Sequence, residues 1–443
     1  MTTPDQAESP KALEVDEKLV EEFDRATRYK LTNADIERGR LLIGHYTPSR
    51  SRELFSVATF DGIRNWALGA GDDNPLYTTE DYGVATRWGS QIAHSTLVGF
   101  VKTPMLGDPI PDEVRRQTKG LFRGVHVFVS GGSWEWYRPL RPGDRIFSIA
   151  GDESQEVKES EFADRSVIRI RRDMAINQRG EVVGVYRILT ILTERDTARK
   201  IGKYADIEPT QYTDADYERI DAIYAQEQAR GAEKRLWEDV DVGDELRPMV
   251  KGPLTVTEVI AFHAGGYGMV PYGLRASRVG YQNRKRIAPF YIRNEQGIWD
   301  VAQRLHWDSQ WAKAIGNPMA YDYGVMRQCW FFHHVSDWMG DDAIVLKLDD
   351  SIRKFNYMGD TQFLGGTVVD KRVDPSGQHV VDLELRMVNQ RDLETADATA
   401  TVALPSTEHG LPIYPAVRDD LARQAAMVFA RHNELTAQHQ RQG

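Results

Sequence analysis

The chain carries one pattern twice. In the first half Arg141-Pro142-Gly143-Asp144 is followed by a strand-like stretch, 166–177, that runs into Asn177-Gln178-Arg179-Gly180, and a second such stretch, 182–192, comes next. In the second half Asn356-Tyr357-Met358-Gly359-Asp360 ends the same way, 380–388 runs into Asn389-Gln390-Arg391, and 396–404 comes next. Gly-Asp marks a turn into one strand, and Asn-Gln-Arg marks the turn between two others. A helical segment stands upstream of each block, near 60–69 and 255–263. A repeat fixes architecture before any single residue does. Each half is therefore expected to be a helix followed by a four-stranded antiparallel meander. Strands that alternate apolar and polar need one face covered, and one long apolar helix lying across the sheet does that.

The covering helix of the second half is predicted at Tyr323–Met339, which is apolar almost all round. Ser95–Leu106 takes that part in the first half. This is an α+β layout, a double hotdog of two antiparallel sheets, each wrapped around a central helix and joined to the other in one continuous sheet. The expected divisions are a loose arm over 1–38, a first hotdog over 39–196, a linker over 197–236, a second hotdog over 237–405 and a helical tail over 406–443. In the linker Tyr217, Ile220, Ile223 and Tyr224 fall at helical spacing, with Thr213 to cap the helix and Gly231 to stop it.

Composition narrows the partners. Lys and Arg number 56 against 66 Asp and Glu, a formal charge of −10, which argues against nucleic acid or an anionic membrane. No apolar run reaches the roughly 18 residues that span a bilayer. The first residues lack the apolar core of a secretory signal, so a cytoplasmic protein is expected. The single cysteine, Cys329, sits in an apolar stretch and reads as a buried, inert thiol. His333-His334 lies within the covering helix, where neighbours point in different directions, and no metal pair is read there. No other His, Cys and carboxylate group shows ligand spacing, and phosphate loops, dinucleotide fingerprints and nucleophile elbows are missing.

The chemistry-bearing residues follow the first helix of each half. Gly69-Ala70-Gly71-Asp72-Asp73-Asn74-Pro75-Leu76-Tyr77 resembles the D-x-N-P-x-H fingerprint of MaoC-like R-specific enoyl-CoA hydratases and 3-hydroxyacyl dehydratases. Tyr77 stands where that family has its catalytic histidine, and a phenol with a pKa near 10 is a poor proton shuttle. Asp72, Asn74 and Pro75 then do no more than cap and turn the chain. In the second half the matching position is His306, followed by Asp308. The interval from His306 to Gly324 is 18 positions, the same as from Tyr77 to Ser95.

The resemblance implies a fused acyl dehydratase, with a first half that shapes the acyl tunnel and a second half that works. It implies His306 as acid–base and Gly324 as the helix N–H that steadies the thioester oxygen. The family's aspartate falls on Gly268, so Asp300, the only aspartate between Phe262 and His306, is expected as partner, with Tyr267, Asp308 and His263 as alternatives. The inserted segment 267–303 is basic and aromatic. Tyr267, Arg284, Lys285 and Arg286 within it, and Tyr323 beyond it, are the candidates for holding a coenzyme A thioester. The reaction implied is reversible hydration of 2-enoyl-CoA to (R)-3-hydroxyacyl-CoA, extending to bulky or unusual acyl groups, by a homo-oligomer, with no metal or redox cofactor. The alternative is a non-catalytic acyl-CoA-binding subunit. Gly131-Gly132 interrupts a strand and reads as a bulge.

Overall fold

The computed structural model describes residues 14–26, 31–49, 55–122, 125–160, 163–193, 204, 206–267 and 274–442. Twelve strands are described: β1 (Thr47–Pro48), β2 (His126–Trp136), β3 (Ile146–Ser160), β4 (Ala163–Asn177), β5 (Val182–Thr193), β6 (Met249–Lys251), β7 (Tyr291–Arg293), β8 (Trp299–Val301), β9 (Ile344–Ile352), β10 (Gln362–Val373), β11 (His379–Asn389) and β12 (Glu394–Ala403). Ten of them form one sheet in the order β1-β3-β4-β5-β2-β9-β12-β11-β10-β6. Read outward from the centre, each half runs first strand, fourth, third, second, short edge strand. The repeat in the sequence is thus a repeat in topology.

The doubled turn residues explain why. Asn177 Oδ1 accepts from the backbone N–H of Arg179 (2.9 Å) and Glu181 (3.1 Å), and Asn389 Oδ1 accepts from those of Arg391 (3.0 Å) and Leu393 (3.1 Å). Gln178 donates to Asp144 at 3.2 Å, and Gln390 donates to Asp360 at 2.8 Å. Each glutamine oxygen takes the N–H after its aspartate, at 3.0 Å from Arg145 and 2.9 Å from Thr361. Side chains that close their own turns hold register without needing the core.

The halves meet at β2 and β9, antiparallel from Gly131–Ser351 to Glu135–Lys347. The register of β2 against β5 shifts between Val129 and Gly131, and Gly131 has φ 149°. A Cβ there would lie 2.3 Å from the Asp350 carbonyl oxygen, so the expected bulge is what lets the halves touch. The sheet is one continuous layer. Two separately closed sheets, each around its own helix, are not what the strand pairing forms.

Among the described residues, eight helices of eight or more residues accompany it: α1 (Glu17–Ala26), α2 (Asn33–Arg40), α3 (Phe60–Gly69), α4 (Asp214–Tyr224), α5 (Val256–Gly265), α6 (Ser277–Arg286), α7 (Gly324–Met339) and α8 (Asp419–Gln442). The linker helix α4 is capped by Thr213 as expected. Helix α7 is buried nearly throughout, against β2, β9 and β12. Its counterpart is a correction. Ser95–Leu106 is not a long helix but a single 3-10 turn, Ser95–Gly99, lying against α7, because Trp134, Trp136 and Tyr186 stack in the space a second helix needs. In the described part of the N-terminal arm, Leu19 and Phe23 of α1 are buried with Ile292 of the inserted segment and with Leu305 and Trp311 beyond it, a packing that a loose arm does not make.

Candidate functional site

Helices α3 and α5 cross where each ends in glycine. A Cβ on Gly69 would lie 2.9 Å from Gly265 Cα, and one on Gly265 2.7 Å from the Asn65 carbonyl oxygen. Only glycines permit that approach, which sets the two turns that follow side by side. Thr59 caps α3 and Thr255 caps α5, so the turns begin in register.

In the first half the fingerprint residues cap and turn the chain as expected. Asn74 N–H donates to Asp72 Oδ1 (2.9 Å), and Leu76 N–H to Asn74 Oδ1 (3.0 Å). Burial and the charge of Asp72 push the Tyr77 phenol well above its ordinary range, so it holds its proton. The other Asp72 oxygen has no hydrogen-bond partner and faces His94 Nε2 at 3.7 Å. The sequence reading passed over His94. Its one signal was its place before Ser95, the counterpart of Tyr323 before Gly324.

In the second half His306 ends a 3-10 turn, Ala302–His306. Its Nδ1 is 2.9 Å from the Tyr321 carbonyl oxygen, which only accepts, so Nδ1 carries the proton and Nε2 the lone pair. Burial lowers its pKa to about 3, against the raising effect of the Tyr321 and Asp322 backbone. The imidazole is therefore neutral at physiological pH. Its ring lies 3.8 Å, centroid to centroid, from Tyr323, the N-cap of α7. The Tyr323 hydroxyl is 3.0 Å from His263 Nε2, and burial lowers His263 to about 4. Tyr267 packs on Tyr323 (4.6 Å), Phe262 (4.8 Å) and Phe100 (5.7 Å) and so walls this box from the first half.

The N-terminus of α7 is held rigidly. Asp322 takes two bonds from Arg327 (2.7 and 2.8 Å) and one from Asn356 (3.0 Å). Gly324 opens the helix, and a Cβ there would lie 2.7 Å from Ile352 Cδ1 and 3.0 Å from Val129 Cγ1. A larger side chain there must push these side chains aside. Gly324 also opens the helix end where backbone N–H groups lack helical partners.

The expected acid partner stands elsewhere. Asp300 lies on β8, its side chain 40 % exposed, and accepts from Arg304 (3.1 Å) and from the Val301 N–H (2.7 Å). Arg304 also holds Asp308, which caps the helix Ser309–Lys313. Among the described residues neither carboxylate has a hydrogen bond to His306. Arg304 sits between them in sequence and takes both. Of the alternatives weighed, His263 comes nearest, through Tyr323. The family's aspartate position, Gly268, lies outside the described residues. Arg284, Lys285 and Arg286 form the last turn of α6, where cations suit the helix end. Arg284 and Lys285 lie over the Tyr281 ring at 5.7 Å each.

No protein-family model matches the chain, and no curated protein matches it in sequence. Solved structures do. One described as a MaoC-like dehydratase superposes with a TM-score of 0.53 and 15% identity, over 82% of this chain and 98% of that one. The fold is that of a MaoC-like dehydratase. A second MaoC-like dehydratase, from Phytophthora capsici, gives 0.45 at 11% identity over 85% and 99% of the two chains. A Mycobacterium tuberculosis protein described as a double hotdog gives 0.44 at 11% identity over 83% and 97%. No described helix is long and apolar enough to cross a membrane.

Proposed function

We propose that this chain is a hydro-lyase on acyl thioesters, interconverting 2-enoyl-CoA and 3-hydroxyacyl-CoA. The observation that carries the reading is a neutral His306, its Nδ1 proton held by the Tyr321 carbonyl, set against the N-cap of the buried helix α7. In the hydration direction His306 Nε2 takes a proton from water as the oxygen bonds to C3. The electron pair of the double bond moves to the thioester oxygen, where the helix N–H at Gly324 steadies the enolate. The imidazolium then returns its proton to C2, so water is added and the enzyme is restored. Asp300 has no part in these steps, since Arg304 holds it. The (R) configuration is the one the family resemblance implies.

The basic turn Arg284–Arg286 supplies charge for coenzyme A phosphates, and Tyr267 and Tyr323 supply apolar wall. The working form is a homo-oligomer. The test is turnover of crotonyl-CoA and longer enoyl-CoAs, followed at the enoyl absorbance band. Binding without turnover on every enoyl thioester would mark a carrier of acyl-CoA instead.

A further inference from the structure

A second cluster of titratable groups lies away from His306, where the first half meets α7. His333 Nε2, on α7, is 3.6 Å from Asp72 Oδ1 and 3.3 Å from Asp337 Oδ2. Asp72 and His333 are buried, and the Asp337 side chain is 12 % exposed. Three further atoms here, Asp72 Oδ2, His94 Nε2 and Asp337 Oδ1, are buried without a hydrogen-bond partner. They are the second oxygens of the two carboxylates that face His333, and the ring nitrogen of the histidine beside Asp72.

We propose that Asp72, His333 and Asp337 form a binding site for a divalent transition cation of the zinc class, shared between the two halves. One ligand atom from each lies within 4.8 Å of the others. A tetrahedral site with bonds of about 2.0–2.1 Å sets its ligand atoms about 3.3–3.4 Å apart, close to the separations from His333. The donor set of one imidazole and two carboxylates suits this class of ion. His94 lies 3.7 Å from the far oxygen of Asp72, too long for a hydrogen bond, and is not a ligand in this set. A cavity of about 350 Å³ lined by Glu227, Arg247, His334, Asp337 and Trp338 leads to Asp337. Of the three ligands only Asp337 lines it, and Arg230 and Arg235 stand in its wall as well.

The electrostatics fit a place meant for a cation. Two carboxylates face one another through an imidazole in a dry interior. Burial, and then the charge of Asp337, raises Asp72 well above the carboxylate range, and burial raises Asp337 to about 6. Burial keeps the His333 imidazole neutral, the state in which it ligates. Among the described residues Lys251 is the competing cation in contact with His333. Its Nζ is 2.9 Å from His333 Nδ1, 3.2 Å from the Gly71 carbonyl oxygen and 3.9 Å from Glu227. A metal on Nε2 puts the ring proton on Nδ1. Lys251 then gives up its proton or turns to Gly71 and Glu227, both already in reach. His333 and Asp337 stand four residues apart on one face of α7, while Asp72 comes from the other half, so the sequence shows the pair but not the triad.

The test uses the full chain, stripped with chelator and titrated with Co2+ alone. About one equivalent should bind with the intense visible bands of four-coordinate cobalt, and Zn2+ should displace it. Asp337→Asn and His333→Gln should each weaken binding at least about 100-fold, the upper end of what losing a mere supporting residue costs. Asp337 lies at the edge of the core, so its variant keeps the experiment readable if His333→Gln does not fold. The exposed group His379, Glu408 and His409 is the competing surface site, and His409→Ala should leave binding unchanged. No uptake at millimolar Co2+, uptake that survives Asp337→Asn, uptake lost in His409→Ala, or a pale six-coordinate spectrum would each overturn the proposal.

Discussion

His306 lies ring on ring with Tyr323, 3.8 Å between centroids, directly before the helix that Gly324 opens. That contact ties the acid–base group of the second half to the helix end meant to hold substrate charge. Tyr77 occupies the matching place in the first half with a proton it does not release. His306→Ala should therefore lower kcat at least about 100-fold, the low end for losing a general acid–base. Tyr77→Phe should lower it less than about tenfold. Parallel kinetics on one enoyl-CoA check this, and equal losses would put the working half in doubt.

Asp300 gives the opposite expectation. Its carboxylate belongs to Arg304, and asparagine keeps an oxygen for that arginine. Asp300→Asn should leave kcat within about fivefold of the parent, as for surface pairs worth about 1 kcal/mol or less. Arg304→Met releases Asp300 and Asp308 together and loosens the turn that carries His306, so it should cost more. A dead Asp300→Asn enzyme with unchanged thioester binding would restore Asp300 as the base.

The pH profile follows from the buried imidazoles. His306 at about 3 and His263 at about 4 lie below the ordinary histidine value. The basic form of each exists above its pKa, so hydration should stay level from about pH 8 down to about pH 5. An acidic limb in kcat near 6.5 would mean that His306 titrates as an exposed histidine does.

Asp350 offers a test of the join between halves. Burial raises it to about 8, Gln328 donates to Oδ1 at 2.9 Å, and Oδ2 has no partner. A folded-state pKa above the unfolded one favours the fold at low pH, and that stability is lost as pH rises from about 4 through about 8. Asp350→Asn does not titrate. Its Tm should match the parent near pH 4 and exceed it near pH 8. Curves that stay parallel across that window would show that Asp350 is ionised in the fold.

Much of this was legible in the sequence because local side chains encode it. Asn177 and Asn389, Gln178 and Gln390, and Asp144 and Asp360 close their own turns, so the repeat could be read without the core. Helix α7 was legible from its apolar surface. The first covering helix was not, because stacked aromatic side chains of β2 and β5 fill its space, and packing overrode periodicity. Asp300 was misplaced because nearness in sequence says nothing about which cation holds a carboxylate. The pairing of Asp72 with His333 joins distant segments and leaves no local trace.

The most direct measurement follows oxygen. (R)-3-Hydroxybutyryl-CoA is incubated with the full chain in water enriched in oxygen-18, beside the (S) enantiomer and the His306→Ala variant. Reversible loss and readdition of water breaks and remakes the bond from C3 to oxygen. The account predicts label at C3 of the (R) thioester with the parent chain, none with (S), and at least about 100-fold slower labelling with His306→Ala. No label in either enantiomer while the thioester binds, on this and longer acyl chains, would contradict it.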